Sequence, residues 1–163
     1  MGRALVSVDN VYANNLGTFE KIINVVLPVE YEEEFFAEAV DDSANGVFYS
    51  QLAYYGEIAI GAVKARLIAN KNGGVLPAGV YIEVLAVLAA YRGKTAGSLL
   101  LNYIEEKCRE SFQHDLYVHV ATDNQSAIQW YEKKGFVKEG EVLENYYKDT
   151  TASKDAFVYK KSV

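Results

Sequence analysis

The residues with the clearest capacity for chemistry lie between Val80 and Cys108, in the run VYIEVLAVLAAYRGKTAGSLLLNYIEEKC. An almost wholly apolar strand, Val80–Leu88, leads into a short loop of small and basic residues. An amphipathic helix follows over Gly97–Phe112, with Leu100, Leu101, Ile104 and Cys108 on one side. A helix that opens just after such a loop leaves its first N–H groups without carbonyl partners and places the positive end of its dipole there. Phosphates bind at such places, and Arg92 and Lys94 add positive charge. The loop has neither the G-x-x-x-x-G-K-S/T spacing nor the G-x-G-x-x-G fingerprint of common nucleotide sites. A tight strand–helix turn is the other reading of the same residues.

The strands beside this loop carry candidate proton-transfer groups. Alternation puts Tyr81, Glu83 and Leu85 on one face of the Val80–Leu88 strand and Ile82 and Val84 on the other. The strand Asp115–Ala121 likewise pairs Tyr117 with His119, opposite Val118 and Val120. Taken alone, His119 is also readable as a half-buried strand histidine, and Tyr81 as an ordinary aromatic in a chain with 13 tyrosines.

The elements that must hold these groups follow from pattern. Leu5–Asp9 reads as an edge strand. Asn14 or Asn15 can cap a helix whose stripe is Leu16, Phe19, Ile22, Ile23 and Val26; Pro28 ends it, and Tyr31–Val40 reads as a second helix. Phe48–Tyr55 and Ile58–Ile68 form a predicted hairpin turning at Gly56-Glu57. Asn70–Gly79 is a loop, Asn124–Lys134 a helix stopped by Gly135, and Phe136–Lys138, Leu143–Lys148 and Ala156–Lys160 are closing strands. The order β-αα-βββ-α-β-α-ββ is α/β, a mixed central sheet flanked by helices, and 163 residues without an evident linker imply one domain over 1–163.

Composition narrows the classes. A net charge of −6 argues against a direct nucleic-acid or anionic-membrane binder. A single cysteine and two histidines argue against a disulfide framework or a zinc site. No apolar run has the length of a membrane span, and the N-terminus does not read as a signal peptide. A reducing compartment, cytoplasmic and also nuclear, is the expectation.

Arg92-x-x-Thr95-x-Gly97 after a strand resembles the coenzyme A pyrophosphate loop, R/Q-x-x-G-x-G/A, of GNAT-family acetyltransferases. Asn124-Gln-Ser-Ala-Ile-Gln-Trp-Tyr-Glu-Lys-Lys-Gly-Phe136 is similar to that family's N-x-x-A-x-x-x-Y-x-x-x-G-F segment. Leu27-Pro-Val-x-Tyr31, Val80-Tyr-Ile82, Leu116-Tyr-Val-His119 and Asn145-Tyr-Tyr-Lys148 narrow the resemblance to the San-type N-terminal acetyltransferases of NatE. The resemblance implies the GNAT acyl-CoA N-acyltransferase fold, and acetyl transfer from acetyl-CoA to the α-amino group of nascent or mature protein N-termini, Met followed by a hydrophobic residue being preferred. It implies partnership with the auxiliary and catalytic subunits of the NatA complex. An accessory subunit with little activity of its own and a small-amine acetyltransferase are the alternatives.

Site roles follow from the same resemblance. Tyr81 and His119 face each other and act through ordered water. An α-amino group of pKa about 8 is already partly neutral at pH 7, so His119, ordinarily near 6.5, is the expected base and Tyr81, near 10, positions the water. Tyr131 meets the departing thiolate. Leu85, Ala86 and Val87 hold the pantetheine arm and polarise the thioester carbonyl. Arg92, Gly93, Lys94, Thr95, Ala96, Gly97 and Ser98 bind the diphosphate, with Asn124 nearby. Leu27, Pro28, Val29, Tyr31, Tyr81, Tyr146 and Tyr147 wall the peptide groove. Glu83 is either an acidic element of that groove or a carboxylate solvated or paired with Arg66. Thr95 stands where the family loop has glycine; a left-handed conformation there costs a non-glycine residue about 1–2 kcal/mol, so weakened cofactor binding is expected.

Overall fold

The structure is a computed structural model and describes residues 5–27, 30–40, 46–68, 78–93, 95–144, 146 and 155–163. Strands β1 (Val6–Asn10), β2 (Val47–Tyr55), β3 (Ile58–Ile68), β4 (Gly79–Val87), β5 (Asp115–Ala121), β6 (Val137–Lys138) and β7 (Ala156–Ser162) form one sheet in the order β1-β2-β3-β4-β5-β7-β6. Neighbours are antiparallel except β4 and β5, which are parallel. Helices α1 (Leu16–Val26) and α2 (Glu33–Ala37) cover one face, and α3 (Ala96–Glu110) and α4 (Gln125–Lys133) the other.

Both faces of the sheet are dry. Phe19, Ile22 and Ile23 of α1 and Phe36 of α2 pack on Leu52, Ala62, Val84 and Ala86. On the opposite face Leu100, Leu101, Ile104 and Cys108 of α3 pack on Val63, Ala65, Val80, Ile82, Leu116 and Val118. Each large apolar side chain taken out of water here stabilises the fold by about 1.5–3 kcal/mol. Cover on both faces explains the largely apolar run of β4, which Glu83 interrupts.

Two expectations are corrected. The second helix is confined to Glu33–Ala37 rather than Tyr31–Val40, because no side chain caps its start and Tyr31 precedes it. Asn15 is the residue before α1, but its Oδ1 accepts the Tyr12 N–H at 2.7 Å, one turn back, instead of capping α1. Of the strand expected over Leu143–Lys148, the described residues show a bridge between Leu143 and Ala156. Val137 and Lys138 pair with Lys160 and Tyr159, and the Glu139 N–H bonds Val158, so most of the β7 edge is already taken. Asn145, Tyr147 and Lys148 lie outside the described residues.

The deviation that matters most is a β-bulge in β4. Ala65 lies opposite Ile82 and Lys64 opposite Val84, so Glu83 is the extra residue. Strict alternation predicted Ile82 and Val84 on one face. The bulge reverses the pattern: Ile82 packs towards α3, Val84 towards α1, and Leu85 and Val87 join the α3 side. A bulge bends its strand and increases the local twist. Parallel pairing of β4 with β5 stops at that point, after Val80–Leu116, Tyr81–Tyr117 and Ile82–Val118. Beyond it the two strands part, and the sheet opens into a wedge.

Candidate active site

The wedge continues into a groove of about 1180 Å3 that passes from the α1–α2 face of the sheet to the α3–α4 face. Its walls include Leu27, Tyr31, Tyr81, Leu85, Ala86, Val87, Arg92, Gly93, Ala96, Gly97, His119, Asn124, Tyr131 and Tyr146, so one cavity joins residues drawn from all three expected groups. Thr95 and Ser98 are not on its wall. Pro28, Val29, Lys94 and Tyr147 lie outside the described residues.

The α3–α4 side of the groove is made largely of backbone. Val63, Ala62 and Gly61 of β3 pair with Leu85, Ala86 and Val87 on one edge of β4. The Leu88 N–H bonds the Ile60 carbonyl at 2.8 Å. Because main-chain groups alternate sides along a strand, the N–H groups of Val87 and Leu85 point the other way, across the wedge. The Val87 carbonyl confirms that direction by accepting the Arg92 Nε–H at 3.0 Å. Donors fixed in a water-poor cleft suit a thioester oxygen that gains negative charge during attack.

The loop below has the shape that an anion cradle requires. Gly93 (φ +80°) and Thr95 (φ +73°, ψ −2°) are both left-handed, and the Thr95 carbonyl accepts the Leu99 N–H at 3.0 Å to start α3. Thr95 therefore adopts the strained conformation considered from its sequence position. Ala96 and Gly97 line the groove, and their amides belong to the first helical turn, which lacks intrahelical acceptors. A Cβ on Gly97 would sit 3.0 Å from the Trp130 ring, so this glycine also lets α4 approach α3. The Ser98 hydroxyl accepts from Lys134 Nζ, which ties α4 to the first turn of α3.

Asn124, which lines the groove, caps α4 by accepting the Ala127 N–H at 3.2 Å. Tyr131 is buried against Trp130 and Phe136, and burial holds its phenol well above the ordinary tyrosine range. Such a phenol stays protonated and acts as a hydrogen-bond donor rather than an acid.

The α1–α2 side is made of side chains. Tyr81 stacks on Tyr117 with ring centroids 4.6 Å apart and lies 6.0 Å from His119. Tyr146 covers His119 at 4.6 Å, and its hydroxyl is 3.2 Å from Nδ1. Burial lowers the His119 pKa and raises that of Tyr81 above the tyrosine range. Histidine is thus the neutral acceptor of the pair at pH 7. Tyr31 stacks on Phe35 at 4.4 Å, and burial, with Tyr146 and Glu83 adding to it, pushes its phenol up to about 12.

Sequence reading missed the charged floor under this wall. Lys64 is fully buried; its Nζ bonds Glu38 at 2.9 Å and also Glu83, and sits 3.9 Å from the Phe35 ring centroid and 4.2 Å from that of Phe48. Arg66 Nε lies 3.6 Å from Glu83, so the paired reading of Glu83 holds. The signal was present as Lys64 and Arg66 inside a strand of otherwise apolar and small residues, but the partner Glu38 is 26 residues from Lys64 in sequence.

Comparison with known proteins agrees with this geometry. The profile of the Acetyltransferase (GNAT) family matches residues 15–136. N-alpha-acetyltransferase 50 of Danio rerio is 32% identical over 97% of this chain and 89% of its own length. An N-acetyltransferase of Drosophila melanogaster, san, is 29% identical over the whole chain (100%) and 84% of its own length. Among solved structures, Arabidopsis thaliana Naa50 in complex with the bisubstrate analogue CoA-Ac-MVNAL superposes with a TM-score of 0.82 at 35% identity, covering 98% of this chain and 99% of that one. An amide-lined wedge beside a left-handed loop, with these relatives, places the chain in the GNAT acetyltransferase family.

Proposed function

We propose that this chain acetylates the α-amino group of protein N-termini, using acetyl-CoA as cosubstrate and favouring Met followed by a hydrophobic residue. The observation that carries the reading is the single groove that joins the amide-lined wedge to Tyr81 and His119. The residues fit the cosubstrate: free first-turn amides and Arg92 suit a diphosphate, and outward amides of Leu85 and Val87 suit a thioester. Leu27, Tyr31 and Tyr146 give the other end apolar walls with hydroxyls suited to a peptide main chain. The analogue bound by the Arabidopsis relative carries Met followed by Val.

Acetyl-CoA, when bound, supplies the acetyl thioester; the chain's residues do the rest. His119 accepts the proton of the substrate ammonium through water that Tyr81 orients. An amine of pKa about 8 needs only a weak base. The Leu85 and Val87 amides stabilise the oxyanion formed by amine attack. Tyr131 donates a hydrogen bond to the sulfur as the carbon–sulfur bond breaks, and the second proton of the amine leaves on that sulfur as the thiol, so the amide and one protonated His119 balance the step. Assembly with NatA-type subunits in a cytoplasmic and nuclear setting belongs to the same proposal.

The test is mass-resolved acetyl transfer to Met-Val and Met-Leu peptides, with polyamines as the competing acceptor class and acetyl-CoA thermal shifts alongside. Peptide acetylation supports the proposal. Transfer to polyamines alone would replace it with the small-amine reading, and neither transfer nor a shift at millimolar cofactor would replace it with the accessory-subunit reading.

A further inference from the structure

We infer that Lys64 is a positioning residue for the acceptor peptide: its buried ammonium sets the rotation of α2 and, through the Phe35 ring, the Tyr31 wall of the groove. This rests on the proposed function, which makes that wall part of the peptide site. Lys64 lies on β3 and is fully buried. Its Nζ bonds Glu38, the residue that closes α2, at 2.9 Å, and bonds Glu83 of β4 as well. The same Nζ sits 3.9 Å from the ring centroid of Phe35 in α2 and 4.2 Å from that of Phe48 in β2. One cation therefore gathers α2, β2 and β4 around β3.

α2 is five residues long with no side-chain cap at its start, far below the length at which a helix holds itself together in water. Phe36 is its buried side chain and gives it an apolar attachment, but such attraction has no direction. Phe35 and Glu38 are three residues apart, hence neighbours on one side of the helix, and Lys64 holds both. That pair of contacts fixes which way α2 is turned. The orientation carries Tyr31, whose ring stacks on Phe35 with centroids 4.4 Å apart and 23° between planes, and meets Phe36 edge-on at 6.2 Å. Tyr31 and Phe35 line the groove, and Lys64 is not on its wall. The lysine thus acts on the acceptor through these rings. For stability alone, apolar residues of similar volume often serve as well as a buried ion pair or better; what the ammonium adds is direction.

The experiment compares Lys64→Met, Tyr31→Ala and the double variant in the full chain, by steady-state kinetics on a Met-Leu peptide and an acetyl-CoA titration, with concentrations referred to folded protein. Lys64→Met should raise the peptide KM roughly fivefold or more, with kcat and acetyl-CoA affinity little changed, and the double variant should bind peptide no worse than Tyr31→Ala, because residues that act as one unit do not add. Additive effects on KM, a KM equal to wild type, or a matching loss of acetyl-CoA affinity would overturn the inference. Should Lys64→Met fail to fold, the same cycle is run in a Glu83→Met background, where loss of the lysine leaves Glu38 beside Arg66 and the charges balanced. Hydrogen exchange gives a readout without turnover: amides of residues 30–40 should exchange faster in Lys64→Met while those of α3 keep their protection. Unchanged protection over 30–40 would also overturn the inference. An inactive wild type with the expected exchange pattern would refute the proposed function and leave the hold of Lys64 on α2 standing.

Discussion

The two ends of the groove are built by opposite means. On the α3–α4 side, main-chain amides dominate: a strand edge freed by the Glu83 bulge, and the first turn of α3 behind two left-handed residues. On the α1–α2 side the working groups are side chains brought from β4, β5, the α1–α2 connection and the segment after Leu143. A common cosubstrate can be held by backbone geometry that tolerates sequence change. Acceptor choice and proton transfer depend on particular side chains, and a buried ion cluster fixes the floor beneath them. Substitutions should therefore act unevenly across the sheet.

His119→Ala tests that asymmetry most severely. Loss of a general base costs on the order of 10²–10⁴ in rate, and we expect at least a tenfold fall in kcat with acetyl-CoA affinity retained, measured by steady-state kinetics and a cofactor titration. An equal loss in cofactor binding would erase the distinction between the two ends. Lys64→Met comes next, because it removes the buried ammonium that bonds Glu38 and Glu83 and leaves the more exposed Arg66, 3.9 Å and 3.6 Å away, beside them. Breaking a buried charge pair costs about 3–5 kcal/mol, visible as a large fall in denaturation midpoint, whereas a stable variant would show that the cluster is hydrated and dispensable.

Thr95→Gly sharpens the backbone side. Thr95 is left-handed in the folded loop, so relief of strain should raise stability by about 1–2 kcal/mol, read as a higher Tm. If the gain appears instead as tighter acetyl-CoA binding with Tm unchanged, the strain is tied to cofactor capture. The smallest effect is in pH dependence. Burial lowers the His119 pKa, and the imidazole must be neutral to accept a proton. Activity should therefore persist as pH falls to about 6.5 and drop only below it; a limb centred above that value would assign the base elsewhere.

The cofactor side was readable in the chain because its signals are contiguous. Arg92 to Gly97 and Asn124 to Phe136 each combine a turn, a cap and a helix start within a few residues. The bulge was not readable: alternation placed Ile82 with Val84, and nothing local in YIEVLAV announces that Glu83 is extra. It exists because Lys64 and Arg66 on the neighbouring strand engage that carboxylate, a contact between separate segments. Ser98 illustrates the same limit, since its engagement by Lys134 depends on how α3 and α4 cross.

By itself the sequence determined the helix and strand types, the small-residue loop and the grouping of Tyr117 with His119 on one face of their strand, because period and turn chemistry act over short range. Tertiary structure decided where β4 leaves β5, which amides are freed, and how Tyr146 and the Lys64 cluster close around the acceptor side. Those outcomes depend on pairing register and on charge contacts between distant segments, which only the assembled sheet brings within bonding distance.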